Sequence, residues 1–216
     1  PLEHPAVNAQ GTPRRKLRML YGPTKETLHD PDRQNPDEPP ISPIEELAMT
    51  TEIIAGWQGR FYEDFTPGHL YRNRFGHTVT EADNALFTQL THNSNPLHFD
   101  AEYCKKTRWG QILVNSTFTL ALVVGMSVPD ISENAVANLG WEEVKLTHPV
   151  FIGDTIYCQS EVLEKRPSNS QPEAGIVKVR SHGVNQDGQI VLTLVRHVMV
   201  YKKDHAPATH FPEVQV

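Results

Sequence analysis

The polar segment at residues 91–100 holds the residues best suited to chemistry. It reads Thr-His-Asn-Ser-Asn-Pro-Leu-His-Phe-Asp, and Pro96 disfavours helical geometry in the residue before it, so the segment is predicted to be a loop. An imidazole such as that of His98 can both accept and donate a proton in the neutral pH range. We therefore predict that His98 transfers protons. The alternative, a ring that only fixes the loop through hydrogen bonds, stays open.

Short helices are predicted on both sides of this loop. Upstream, the hydroxyl of Thr80 can cap a helix whose third position is Asp83, which is close to a capping box. Apolar residues then recur at helical spacing: Ala82, Ala85, Leu86, Phe87 and Leu90. Downstream, Asp100 is predicted to cap a short helix over residues 101–106.

A third helix is predicted over residues 115–126. This stretch is rich in Leu, Val and Ala and is apolar on nearly all faces, so it belongs inside a domain. Its β-branched Val and Thr residues have low helix propensity, and burial must stabilise it. The N–H groups at its start have no partner within the helix and could bind an oxyanion.

The rest of the compact region, from Trp57 to about residue 203, reads as strands. Residues 136–148, 154–165, 175–185 and 189–201 are rich in Val, Ile, Thr and Tyr, and Asp187-Gly188 predicts a hairpin between the last two. Long antiparallel strands that follow one buried helix indicate an α+β fold, an antiparallel sheet wrapped around a central helix.

The composition limits the class of protein. The chain has 216 residues, of which 38% are hydrophobic and 21% are charged, enough for one domain plus a tail. The formal net charge is −6 without a basic stripe, which argues against a nucleic-acid partner. The apolar stretch at residues 112–128 is too short and too polar to span a bilayer, so we predict a cytoplasmic protein that does not bind membranes.

The remaining features are less specific. Cys104 and Cys158 suit free thiols better than a disulfide framework, although the sequence does not exclude one bridge. The histidines lack metal-ligand spacing, so no metal site is predicted. Residues 1–56 are rich in proline and are predicted to be an extended or disordered arm, with a tail at residues 204–216. The arm either carries no function in catalysis or wraps a partner subunit.

The motifs of the loop resemble those of a known family. Asn95, Pro96 and His98 match the Ser-Gly-Asp-x-Asn-Pro-x-His signature of the MaoC-like hydratases, which include (R)-specific enoyl-CoA hydratases and the mesaconyl-CoA or methylmalyl-CoA type. Asn115-Ser116, the segment 138–140 and the segment 149–154 resemble later parts of the same pattern. The resemblance covers residues 61–202 and implies a hotdog fold that forms a homodimer or higher homo-oligomer, with sites near the interface.

The resemblance also implies a reaction, the syn addition of water to the 2,3 double bond of an acyl-CoA thioester, or its reverse. Coenzyme A is part of the substrate, and no other cofactor is implied. The chemistry needs a base for water, an acid for the α carbon and donors for the enolate oxygen. We assign proton transfer to His98, the oxyanion to the backbone N–H of Ser116, and substrate contacts to Asn95 and Asn115. A plain capping role for Asn115 and Ser116 stays open.

One departure from the signature affects catalysis. Asn93 stands where the family usually has its catalytic Asp, and an amide cannot accept a proton from water. Either Asn93 orients the water while His98 alone transfers protons, which suits a short branched dicarboxylic acyl group, or the site binds a thioester without turnover. Asp83, Asp100 and Glu102 are other nearby carboxylates, of which the two aspartates suit helix caps better.

Two further points complete the sequence hypotheses. Arg108 is a candidate partner for a substrate carboxylate or for the CoA phosphates, with a solvated basic patch as the alternative. A hotdog thioesterase is a weaker alternative function, since residues 115–127 carry no carboxylate. A non-catalytic thioester-binding protein is the alternative from another class.

Overall fold

The computed structural model describes residues 54–209 and residue 212. Within them lie the helices α1 (Glu81–Leu90), α2 (Ala101–Cys104) and α3 (Ser116–Met126). The strands are β1 (Leu70–Arg72), β2 (His77–Thr78), β3 (Ala135–Leu146), β4 (Thr155–Pro167), β5 (Ala174–Val184) and β6 (Ile190–Tyr201). Single 3-10 turns cover Tyr62–Asp64 and Pro96–His98, and a π-helical turn covers Val128–Ser132. Residues 1–53 of the predicted arm lie outside the described residues. Residues 210, 211 and 213–216 of the predicted tail also lie outside them.

The strands form one antiparallel sheet in the order β1-β4-β5-β6-β3, and β2 also pairs with β4. The four long strands confirm the sequence prediction to within two residues at nearly every end. The β5–β6 hairpin is confirmed as well. The side-chain oxygen of Asn185 accepts hydrogen bonds from the N–H groups of Asp187 (3.1 Å) and Gln189 (2.9 Å), and Gly188 has a φ of 77°.

Helix α3 packs on the sheet against β4, β5 and β6. The contact with β5 is close because Gly183 has no side chain, and a Cβ there would lie 2.5 Å from a methyl group of Val123. Val123 is fully buried in a core with Ile156, Leu192 and Leu194. The α+β arrangement of a sheet around one apolar helix therefore follows the prediction.

The burial of α3 is less complete than its apolar composition predicted. Thr119 and Val123 are buried, whereas Thr117, Ala121 and Gly125 on the opposite side are exposed. The physical reason is that one sheet covers only one side of a helix. Phe118, between these two sides, packs against Phe87 of α1 with ring centroids 5.4 Å apart. An apolar strip of α3 is thus exposed in the single chain.

Strand β3 forms one edge of the sheet. Among the described residues it pairs only with β6, and three register shifts interrupt that pairing. About half of the surface of each large apolar side chain along it is exposed: Leu139, Trp141, Val144 and Leu146. An edge strand with exposed apolar side chains is a surface that favours pairing with another chain.

The start of α1 confirms the predicted capping box. The hydroxyl of Thr80 accepts a hydrogen bond from the N–H of Asp83 (3.2 Å), and the carboxylate of Asp83 accepts one from the N–H of Thr80 (2.9 Å). The hydroxyl and then the N–H of Thr80 hold the pKa of Asp83 below its ordinary value. Asp100 caps α2 in the same way, through the N–H of Tyr103 (2.9 Å), although α2 ends two residues before the predicted position.

The end of α1 is a Schellman motif that leads into the polar loop. The N–H of Asn93 donates to the carbonyl of Thr88 and the N–H of His92 donates to that of Gln89, both at 3.0 Å. His92 therefore occupies the left-handed position where glycine is usual, with a φ of 54°. An L-residue other than glycine is strained at this position.

We expect His92→Gly to raise the free energy of unfolding. The left-handed conformation costs an L-residue about 1–2 kcal/mol, while the extra freedom of an unfolded glycine removes about 0.5–1 kcal/mol of that gain. The expected net increase is about 0.5–1 kcal/mol, measured by urea denaturation. His92→Asn serves as the comparison and should raise stability by less than His92→Gly, because Asn tolerates this conformation better than most L-residues but still carries a Cβ. A decrease on His92→Gly would show that the imidazole makes contacts that outweigh the strain.

Candidate active site

The buried amide of Asn84 joins the polar loop to the start of α3. Its nitrogen donates to the carbonyl of His98 (2.7 Å), and its oxygen accepts from the N–H of Asn115 (2.8 Å). Asn84 is 1% exposed, so water does not compete for these hydrogen bonds. One side chain on α1 therefore fixes both the backbone of His98 and the residue that begins the third helix.

Sequence analysis missed Asn84 and its neighbour on the same helix face, Thr88. Both are buried, whereas Leu86 and Leu90, two of the apolar residues that recur at helical spacing, are more than half exposed. The buried face of α1 is polar because it meets the loop and the start of α3, whose backbone groups need partners. The signal in the sequence was the spacing of four residues between two polar side chains on one face.

The ring of His98 lies at the start of α3. It is 8% exposed, and its Nδ1 is 2.8 Å from the carbonyl oxygen of Leu113, two residues before the helix cap. Since a carbonyl only accepts hydrogen bonds, Nδ1 carries the proton. In the neutral ring Nε2 is then an unprotonated acceptor, which is the form that a general base needs. Leu113 is itself fixed, because its N–H donates to the carbonyl of Leu97 (3.0 Å).

Asn115 has the contacts of a helix cap. Its side-chain oxygen accepts from the N–H of Thr117 (3.0 Å), and its side-chain nitrogen donates to the hydroxyl of Thr88 (3.2 Å). The side chain is 1% exposed. The capping alternative that the sequence left open therefore describes the geometry of Asn115. The N–H of Ser116, one residue earlier than that of Thr117, has no acceptor within the helix.

A cavity of about 250 Å³ opens beside Ser116. The segment at Leu113 and Val114 forms one wall and is joined to the opposite wall, since the N–H of Val114 donates to the carbonyl of Val150 (2.9 Å). The described residues around the cavity are Trp109, Leu113, Val114, Ser116, Thr119, Leu146, Thr147, His148, Pro149 and Val150. His98 is not among these lining residues, but its Nδ1 is hydrogen-bonded to the carbonyl of Leu113, which is one of them. The cavity is thus mostly apolar and adjoins the helix start.

The other predicted polar residues of the loop shape its turns. The side-chain oxygen of Asn93 accepts from the N–H of Asn95 (3.0 Å), and that of Asn95 accepts from the N–H of Leu97 (3.1 Å). Asn93 also lines a second, more open cavity with His92 and Phe99. The single chain therefore brings His98, Asn115 and Ser116 together, and places Asn93 at a different opening.

Arg108 contacts a residue that lines the first cavity. Its guanidinium carbon is 4.3 Å from the ring centroid of Trp109, and Trp109 lines the cavity and meets Phe151 edge to face. The arginine is exposed and is held against the aromatic ring by a cation–π contact. It can therefore meet an anion outside the cavity entrance.

The two cysteines do not supply a nucleophile to this site. Both are free thiols, as predicted, and both are buried. Burial raises the pKa of Cys158 to about 11, so the thiol stays protonated near neutral pH. The thiol of Cys104 donates to the carbonyl of Leu97, 3.3 Å away, and so contacts the polar loop.

Similarity to solved structures identifies the fold. A Mycobacterium tuberculosis protein with a double hotdog fold superposes with a TM-score of 0.63 and 21% identity, over 70% of this chain and 47% of that one. The protein is therefore a hotdog domain, as predicted, with α3 as its central helix. In the part of the chain that the structure describes, no helix is long and apolar enough to cross a membrane.

The chain belongs to the MaoC-like domain family, whose profile matches residues 64–185. It is 39% identical to the mesaconyl-CoA hydratase of Cereibacter sphaeroides, over 72% of this chain and 46% of that protein. It is 36% identical to the β-methylmalyl-CoA dehydratase of Chloroflexus aurantiacus, over 72% of this chain and 45% of that protein. The chain spans less than half the length of these two curated relatives.

We expect Asn84→Ala to destabilise the fold strongly. The change leaves the carbonyl of His98 and the N–H of Asn115 buried without partners, and each unpaired group costs about 1–3 kcal/mol. The expected loss is about 2–5 kcal/mol of unfolding free energy, measured by urea denaturation. Gln89→Ala, an amide-to-alanine change at an exposed position of α1, is the matched control and should stay within about 0.5 kcal/mol of the wild type. Equal effects of the two changes would contradict the bridging role of Asn84.

Proposed function

We propose that this protein hydrates an enoyl-CoA or dehydrates the corresponding 3-hydroxyacyl-CoA. The observation that carries the proposal is the hydrogen bond from Nδ1 of His98 to the carbonyl of Leu113, which leaves Nε2 of the neutral ring free to act as a base. The names of the mesaconyl-CoA hydratase and β-methylmalyl-CoA dehydratase relatives support the same reaction class. The acyl group that fits these names best is a short branched dicarboxylic one.

In the proposed reaction His98 performs both proton transfers. Its Nε2 removes a proton from water while the water oxygen bonds to C3 of the enoyl group, and the electron pair of the double bond moves toward the thioester oxygen. The resulting imidazolium returns its proton to C2 as the enolate collapses. Water and substrate are consumed one to one without net oxidation or reduction, so the proposed step needs no redox cofactor.

The start of α3 stabilises the enolate oxygen in this proposal. The backbone N–H of Ser116 donates to that oxygen, and the positive end of the helix dipole adds to the stabilisation. Asn115 contributes by capping the helix, which fixes the position of the Ser116 N–H. Preorganised donors of this kind typically lower the barrier by about 3–4 kcal/mol each.

Asn93, Asn95 and Arg108 have supporting roles in the proposal. Asn93 fixes the turn at Asn95 and, in the single chain, lines the other cavity, so the proposal gives it no direct contact with the attacking water. Asn95 holds the turn from which His98 projects. Arg108, exposed at the cavity entrance, contacts the CoA phosphates. Buried free thiols are common in reducing compartments, which supports a cytoplasmic location.

A second copy of the chain completes the proposed enzyme. The edge of β3 exposes four large apolar side chains, and the Mycobacterium tuberculosis relative carries a second hotdog within a chain of about twice the matched length. We infer that β3 pairs with a second copy of this chain in a homodimer. Leu146 and His148 line the cavity at the end of this strand, so the interface would lie beside the site.

The reaction is tested with His98→Gln, which keeps a side-chain N–H donor but removes the base. With mesaconyl-CoA and crotonyl-CoA as substrates, we expect kcat to fall about 100- to 10,000-fold, measured as loss of the conjugated absorbance. The unfolding free energy should change little. His69→Gln, at an exposed histidine before β1, is the matched control and should retain full activity. Turnover by His98→Gln within threefold of the wild type would refute the role of His98, and release of free thiol would indicate a thioesterase.

The oligomer is tested with Trp141→Lys on the edge strand. We expect the wild type to sediment with twice the 24.4 kDa mass of the chain, and the variant to dissociate because a lysine opposes edge pairing. Phe75→Lys places the same charge at the opposite edge of the sheet and should stay dimeric. A monomeric wild type would contradict the homodimer and would point to a different hotdog chain as partner.

A further inference from the structure

The cavity beside Ser116 has a polar residue that the proposed chemistry does not use, His148. It follows β3 and lies in the wall formed by Leu146, Thr147 and Pro149. Ser116 also lines the cavity, so a thioester bound at the start of α3 would direct its acyl group along walls that include this imidazole. Most of the other lining side chains are apolar.

The orientation of His148 is fixed by the backbone of β6. Its Nδ1 is 2.8 Å from the carbonyl oxygen of Ile190, so Nδ1 donates and carries a proton. The neighbouring Thr147 is attached to the same strand, because its N–H donates to the carbonyl of Val191 (3.0 Å) and its hydroxyl donates to that of Ile190. Nε2 is therefore the atom with which the ring can bind a ligand, and it becomes a charged donor when the ring is protonated.

The charges around the cavity favour an anion. None of the described residues that line it is Asp or Glu, and the guanidinium of Arg108 stacks on the ring of Trp109, which does line it. The volume of about 250 Å³ equals roughly eight water molecules at ~30 Å³ each. That space suits a short acyl group with one polar end, and it is too small for the nucleotide part of CoA.

We propose that His148 binds a carboxylate at the far end of the acyl group and thereby selects dicarboxylic over simple aliphatic acyl-CoA thioesters. This rests on the proposed binding of an acyl thioester at the start of α3. The imidazolium donates from Nε2 to the carboxylate while Nδ1 donates to Ile190. A hydrogen bond between charged partners in a mostly apolar cavity is strong enough to select one substrate class over the other.

The inference is tested first by binding, which does not depend on turnover. Succinyl-CoA and butyryl-CoA differ by a carboxylate in place of the terminal methyl group, and neither has a double bond to hydrate. By calorimetry we expect the wild type to bind succinyl-CoA about ten- to a hundredfold more tightly, as for a hydrogen bond to a charged group. His148→Leu should abolish that preference and leave butyryl-CoA binding within threefold.

Two further measurements separate this inference from its alternatives. His205→Leu, at an exposed histidine that does not line the cavity, should keep the wild-type preference. In hydration assays His148→Leu should raise KM for mesaconyl-CoA about tenfold or more while crotonyl-CoA keeps its KM and kcat. A wild type without preference, or a His148→Leu variant that retains it, overturns the role of His148. A wild type that binds with the expected preference but hydrates neither enoyl-CoA overturns the hydratase proposal alone.

Discussion

The site depends on one buried amide. The nitrogen of Asn84 donates to the carbonyl of His98 and its oxygen accepts from the N–H of Asn115, so one side chain joins the loop to the start of α3. A second link between the loop and the segment before α3 is the hydrogen bond from Nδ1 of His98 to the carbonyl of Leu113. The proposed general base and oxyanion donor need relative positions that are fixed to within about half an ångström of the productive geometry, and buried hydrogen bonds to a rigid helix provide that constraint.

The rest of the fold serves this connection. The sheet supports α3 through Val123. The hydrogen bond from the N–H of Val114 to the carbonyl of Val150 fixes the cavity wall next to Ser116. The same cavity ends at the last residues of β3, whose outer edge exposes apolar side chains. In the proposed homodimer this open apolar edge lies at the interface, beside the candidate site.

The sequence predicted the elements well and their junctions poorly. Strands rich in Val and Ile, the Asp187-Gly188 hairpin and the capping box at Thr80 follow local rules, and all are present. Local rules could not predict the role of Asn84, because its hydrogen-bond partners lie 14 and 31 residues further along the chain. The apolar pattern of α1 also predicted that a different face of this helix is buried. The strain at His92 was also hidden, since it arises from how the helix ends. The exposed face of α3 shows that an apolar pattern along a helix does not tell which side of the helix the sheet covers.

The tautomer of His98 tests the central claim most directly. Protein labelled with ¹⁵N in histidine gives ring nitrogen signals that distinguish a protonated nitrogen from an unprotonated one, and the His98→Gln variant identifies the signals of this residue. We predict that neutral His98 carries its proton on Nδ1, with Nε2 unprotonated. A neutral ring protonated on Nε2 would contradict the account, because the nitrogen proposed to accept a proton from water would already hold one.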